Sequence, residues 1–183
     1  MSLTSTDAAV AGPSAVAGQC PDALVRAVRA EVRLALGWQK TADRDARALR
    51  ANLPEPAELL PARLRQGDPS CYQSHLLYSE PDGSFSISVM VWRPGQQTVI
   101  HDHVAWCVTG VVQGAEYEEV YDSSLRVVAR NTNPAGSVSG FAPPGDIHRV
   151  TNCGASVAVS MHVYGADISR LGSSIRREYP LPG

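Results

Sequence analysis

Residues 95–114 read GQQTVIHDHVAWCVTGVVQG, and residues 143–152 read PPGDIHRVTN. In the first stretch His101 and His103 stand two apart, with Cys107 and Gly114 after them. Alternate side chains of a β-strand leave the same face, so a strand here points both imidazoles one way. His148 follows a Pro143-Pro144-Gly145 turn, where a strand crossing the same barrel mouth would carry it. Three neutral imidazoles converging on one point make a facial metal site with open positions opposite. Nitrogen ligands and open positions suit Fe(II) and oxygen chemistry, although zinc and nickel bind the same atoms. Three neutral ligands also leave the ion's charge uncompensated, which favours anionic partners such as a thiolate.

Around these stretches the chain reads as strands. Residues 75–78 and 85–92 alternate or run apolar, joined by Pro81-Asp82-Gly83. Further strands are expected at 98–112, 115–121, 125–131, 136–142, 149–151 and 157–164. Many short strands punctuated by Gly and Pro predict a sandwich or small barrel. Before them, residues 22–37 show a helical period with Gly37 as a stop. Helices are also expected at about 41–53 and 55–66, the last interrupted at Pro61. The expected organisation is a flexible segment at 1–20 followed by one domain at 21–183. That domain has a helical cap at 21–66, a β-barrel at 71–165 and a C-terminal tail at 166–183.

A chain of 183 residues, 44% hydrophobic and 19% charged with net charge −2, fits a soluble globular domain. The absence of a basic stripe argues against nucleic acid as a partner. No stretch approaches the ~20 apolar residues of a membrane span. Residues 1–19 lack the basic start and apolar core of a secretory signal, so a cytoplasmic location is expected. A monomer or small homo-oligomer is expected. The four cysteines fit no zinc finger or CxxC spacing, and Cys20, Cys71 and Cys153 read as small buried or half-buried hydrophobes.

The run Ser160-Met161-His162-Val163-Tyr164 alternates polar and apolar residues. On a strand the three polar side chains face the barrel interior, while Met161 and Val163 pack outward. Buried together, they require hydrogen bonds. A relay from the Ser160 hydroxyl through His162 to the Tyr164 phenol would satisfy them and aim the phenol at the metal.

These motifs resemble the cupins, whose metal-binding jelly roll has the same histidine spacing and often adds a glutamate where Cys107 stands. Within the cupins, HDH followed by WC, then PPGDIH and SMHVYG, resemble the thiol dioxygenase branch over about residues 70–177. That branch includes cysteine dioxygenase and 3-mercaptopropionate dioxygenase. The resemblance implies a mainly β cupin jelly-roll barrel with an N-terminal helical cap. It implies mononuclear non-haem Fe(II) on His101, His103 and His148, flanked by Ser160, His162 and Tyr164 as catalytic residues. The implied partners are O2 and a small thiol, 3-mercaptopropionate- or cysteine-like, which becomes a sulfinate.

Three departures narrow the reading. Bacterial mercaptopropionate enzymes usually carry glycine at the position of Cys107. Cysteine there resembles the residue that, in some cysteine dioxygenases, forms a thioether with the relay tyrosine, which is Tyr164 here. The family's substrate-facing Arg or Gln, two residues after the tyrosine matched by Tyr72, is Ser74. The carboxylate-binding arginine near the C-terminus is resembled by Arg177, four residues further from Tyr164, with Arg170 as a substitute. Another metal-dependent cupin enzyme and a non-catalytic small-molecule or redox sensor stay open as alternatives.

Overall fold

The computed structural model describes residues 14–15, 20–34 and 37–180. The expected flexible segment 1–20 therefore lies outside the described residues, apart from Cys20 and a short strand β1 (Ser14–Ala15) that pairs parallel with β2 (Gln73–Ser79). The strands after β2 follow in chain order. They are β3 (Ser86–Trp92), β4 (Ile100–His103), β5 (Cys107–Gln113), β6 (Ala115–Tyr121), β7 (Val127–Pro134) and β8 (Val138–Phe141). Then come β9 (His148–Thr151), β10 (Ala158–Tyr164) and β11 (Ile175–Tyr179). They form two sheets, ordered β1-β2-β3-β10-β5-β8 and β11-β4-β9-β6-β7. Apart from β1 on β2, every pairing is antiparallel. This is the cupin jelly roll.

Two helices, α1 (Asp22–Val32) and α2 (Trp38–Ala51), cover the outer face of the first sheet. Leu24, Val25, Val28, Ala42 and Leu49 pack with Ile87, Val89, Val91, Val159, Met161 and Val163 in one core. The period of two along β10 is thus realised: Met161 and Val163 face the cap, and Ser160, His162 and Tyr164 face inward. The helices start and stop differently from the sequence expectation. The first ends at Val32, since Leu34 falls off the buried stripe and is exposed. Gly37 precedes α2 as its cap residue instead of stopping α1. The third splits into α3 (Pro56–Leu59) and a 3-10 turn at Leu64–Gln66. Leu60, extended at φ −136° and ψ 139°, takes the conformation that a following proline imposes.

Two strand boundaries matter for the site. The expected strand 98–112 breaks at Val104–Trp106, so β4 lies in one sheet and β5 in the other. The expected tail 166–183 is not a loose end. It forms α4 (Ile168–Leu171) and then β11, which pairs with β4. Among the described residues no helix is long and apolar enough to cross a membrane. Cys153, expected to be buried or half-buried, is exposed, in the Cys153–Ser156 turn after β9.

Candidate metal centre

His101 and His103 leave β4 on the inner side, and His148 on β9 is the register partner of His101. One ligand nitrogen from each lies within 4.8 Å of the others, and all three residues are buried. The opposite nitrogens are occupied. His101 Nδ1 is 3.0 Å from the Val99 carbonyl, His103 Nδ1 is 3.2 Å from Asp146 Oδ2, and His148 Nδ1 is 2.7 Å from Glu118 Oε1. A carbonyl and two carboxylates can only accept, so each Nδ1 carries its proton and each Nε2 presents a lone pair. Three lone pairs turned toward one point, without a donor between them, fit a divalent cation. Burial, then the neighbouring His148 and His103, push the His101 imidazole well below its usual range. The ring is therefore kept in its neutral, ligating form.

Asp146 and Glu118 are the functional residues that the motif spacing did not reveal. Asp146 also accepts the backbone N–H of His103 at 2.9 Å, and Asn131 donates to Glu118 at 3.0 Å. Burial opposes their ionisation, but hydrogen bonds from His103 and His148 respectively outweigh it and hold both carboxyls below their usual range. Two carboxylates behind three imidazoles supply the charge that the ligands lack. The expectation of an uncompensated ion is corrected accordingly. Asp146 sits inside the quoted PPGDIH, where carboxylate-to-histidine support was readable. Glu118 needed the pairing of β6 with β9 to be found.

The inward residues of β10 are close together but not connected as expected. Ser160 Oγ lies 2.9 Å from His162 Nε2 and accepts from Trp92 Nε1 at 3.1 Å. The other nitrogen of His162 faces Thr109 Oγ1 at 3.5 Å. Both ring nitrogens of His162 are thus engaged, and Tyr164 meets the ring by stacking, with centroids 5.8 Å apart, instead of ending the relay. Burial, with His103 and His148 adding to it, pushes the His162 imidazole down to about 3. Burial and the nearby Cys107 push the Tyr164 phenol well above its usual range, opposed by the Ser174 hydroxyl beside it. The phenol is held as a proton donor.

Cys107 on β5 is the register partner of Tyr164 on β10, and both are buried in one cluster with Ile168. Directly opposed residues of antiparallel strands carry Cβ atoms roughly 5 Å apart. Burial raises the Cys107 thiol above its usual range.

A cavity of about 50 Å³ opens above the histidines, lined among others by Tyr72, Ser74, Phe141, Tyr164 and Ser174. Tyr72 and Ser74 therefore reach the site. Arg177 and Arg170 do not line the cavity. Arg177 donates to Asp102 at 2.6 and 3.0 Å on the outer side of β4, and Arg170 pairs with Asp167 at 3.0 Å. Asp102 alternates with the two ligands, so its carboxylate leaves the opposite face and draws the arginines of β11 away from the metal side.

The family model for cysteine dioxygenase type I matches residues 62–173. The chain belongs to the cysteine dioxygenase type I family. Membership in that family supports an oxidoreductase, and the histidine cluster fits its metal site. Solved structures similar to this chain include a protein of Thermus thermophilus, 19% identical over 58% of this chain and 96% of that one, with TM-score 0.47. A cupin 2 conserved barrel domain protein of Salinispora arenicola is 24% identical over 54% of this chain and 81% of that one, with TM-score 0.42. Recombinant oxalate oxidase in complex with glycolate is 17% identical over 56% of this chain and 54% of that one, with TM-score 0.47.

Proposed function

We propose that this member of the cysteine dioxygenase family is a non-haem iron thiol dioxygenase that converts a small thiol to its sulfinate. The observation that carries the reading is the convergence of His101, His103 and His148 beneath a cavity that also receives Tyr164. A thiolate plus O2 gives a sulfinate with no atom left over, and the sulfur supplies the electrons, so no other reductant takes part. When bound, iron(II) favours the thiolate over the thiol and lets O2 draw electrons from the sulfur.

This chain's residues do the rest. The histidines hold the metal as neutral ligands oriented by Asp146, Glu118 and the Val99 carbonyl. The Tyr164 phenol, kept protonated by its surroundings, donates a hydrogen bond into the cavity where charge develops on oxygen. His162 and Ser160 form the wall beside it, and stacking of His162 on Tyr164 fixes the direction of the phenol. Tyr72 and Ser74 bound the substrate end. The cavity admits a thiol of about the size of cysteine or 3-mercaptopropionate. Cys107, facing Tyr164 across the strand pair, is the partner for a thioether to the phenol ring, formed by loss of the thiol hydrogen and one ring hydrogen to O2 as the two-electron oxidant.

The test is oxygen uptake by the iron(II)-loaded protein with a panel of small thiols, the sulfinate being identified by mass. Uptake of one O2 per thiol consumed, with two oxygens in the product, is the expected result. Bound iron without uptake for any thiol overturns the reading.

A further inference from the structure

The cavity above the histidines is lined by hydroxyls and apolar groups, and among the described residues no lysine or arginine reaches it to receive a carboxylate. Ser74 on β2, Thr98, and Ser173 and Ser174 on the turn between α4 and β11 line it together with Met90 and Ile175; the Thr98 hydroxyl accepts from the Val150 N–H at 3.0 Å and that of Ser173 from the Ile175 N–H at 3.1 Å, which leaves each hydroxyl's own proton to donate. Among the described residues no lysine, arginine, aspartate or glutamate lines the cavity. All sixteen lysines and arginines of the chain lie among the described residues, so no basic side chain is left unaccounted for. The three arginines that flank Ser173–Ile175 are engaged elsewhere, Arg170 with Asp167 and both Arg176 and Arg177 with Asp102.

The charges around the site point the same way. A divalent ion is already balanced by Asp146 and Glu118, each bonded to a ligand histidine. A thiolate brings the site to one negative charge. A substrate carboxylate would add a second, partly desolvated among apolar walls and without the guanidinium fork that normally receives it. Serine and threonine hydroxyls both donate and accept, which suits a hydroxyl or amine tail. A cavity of about 50 Å³ limits that tail to a few heavy atoms.

We propose that the substrate of this cavity is a small thiol that carries no carboxylate. The proposal rests on the thiol dioxygenase reading and departs from cysteine and 3-mercaptopropionate at the substrate's tail. Ser74, Thr98, Ser173 and Ser174 bind that tail by hydrogen bonds.

Two matched pairs test it, since cysteamine differs from cysteine, and 3-mercapto-1-propanol from 3-mercaptopropionate, essentially in the carboxylate. With the iron(II)-loaded protein, kcat/KM from oxygen uptake is expected to favour the carboxylate-free member of both pairs by about tenfold or more. Anaerobic titration calorimetry of the same four thiols gives a reading independent of turnover, and the same order of affinity is expected. Oxidation of the carboxylate-bearing members at equal or higher kcat/KM, or their tighter binding, overturns this proposal and leaves the dioxygenase reading standing. Oxidation of none of the four, with iron bound, removes the dioxygenase reading and the proposal together.

Discussion

At the scale of single residues, the inner wall of the barrel separates groups that hold protons from groups that hold the metal. Tyr164→Phe removes the one phenol that faces the ligands from β10, where its ring centroid lies 6.5 Å from that of His103. Turnover is expected to fall about a hundredfold, as on loss of a donor aimed at developing charge, with metal content by elemental analysis unchanged. The thioether between Cys107 and Tyr164 is checked by intact mass, which is expected to be two hydrogens below the sequence mass and to regain them in Cys107→Ser after allowing for the substitution.

Glu116 belongs to the same wall. It is 2% exposed, its Oε1 has no hydrogen-bond partner, and Ser160 and Trp92 face its carboxyl. Burial, with Glu118 adding to it against the opposing Ser160, pushes this carboxyl up to about 7 from an ordinary 4.5. The folded protein therefore binds the proton more tightly than the unfolded chain. The stabilisation is full below about pH 4.5 and is lost as pH rises through about 7. Glu116→Gln is expected to gain about 3 kcal/mol relative to the wild type between pH 5 and pH 8, measured by urea unfolding at each pH. An unchanged difference across that range would contradict the assignment.

At the scale of elements, the cap lies flush on the first sheet because two glycines let it. A Cβ on Gly140 of β8 would stand 2.7 Å from the Ala42 carbonyl oxygen of α2, a backbone atom that moves only if the helix moves. A Cβ on Gly110 of β5 would meet the Leu53 Cδ1 at 2.7 Å, the far end of a flexible side chain. Overpacking typically costs about 1–3 kcal/mol, while replacing glycine in a strand returns roughly half to one. Gly140→Ala is therefore expected to lose about 2 kcal/mol and Gly110→Ala less, read from the urea midpoints.

The same elements show what the sequence could carry. The alternation along Ser160–Tyr164 and the His101–His103 pair were legible because a period of two needs only neighbours. The end of α1 at Val32 was not, because Leu34 keeps up an apolar count that the packing does not use. The division of 98–112 between two sheets depends on where Val104–Trp106 crosses the barrel. No local pattern records that.

Over the whole molecule, the site joins both sheets. The ligands come from β4 and β9 of one, and Tyr164, His162 and Cys107 from β10 and β5 of the other. The histidine triad was readable from spacing because ligand geometry restricts it. The placement of Arg177 and Arg170 away from the cavity was not readable because a basic residue's partner is chosen by tertiary neighbours, here Asp102 and Asp167.

That choice has a consequence of its own. Strand β4 works on both faces: His101 and His103 look inward, while Asp102 gathers Arg176, Arg177 and Tyr179 from β11. Whatever fixes one face of four residues steadies the other, and such a coupling is reciprocal by thermodynamic necessity. Metal loading is expected to slow amide exchange along 175–179, and Asp102→Ala to weaken metal affinity by about tenfold although Asp102 touches no metal. Strand β11 is in this sense a gauge of occupancy, its fraying a signal on the surface that the metal beneath has gone.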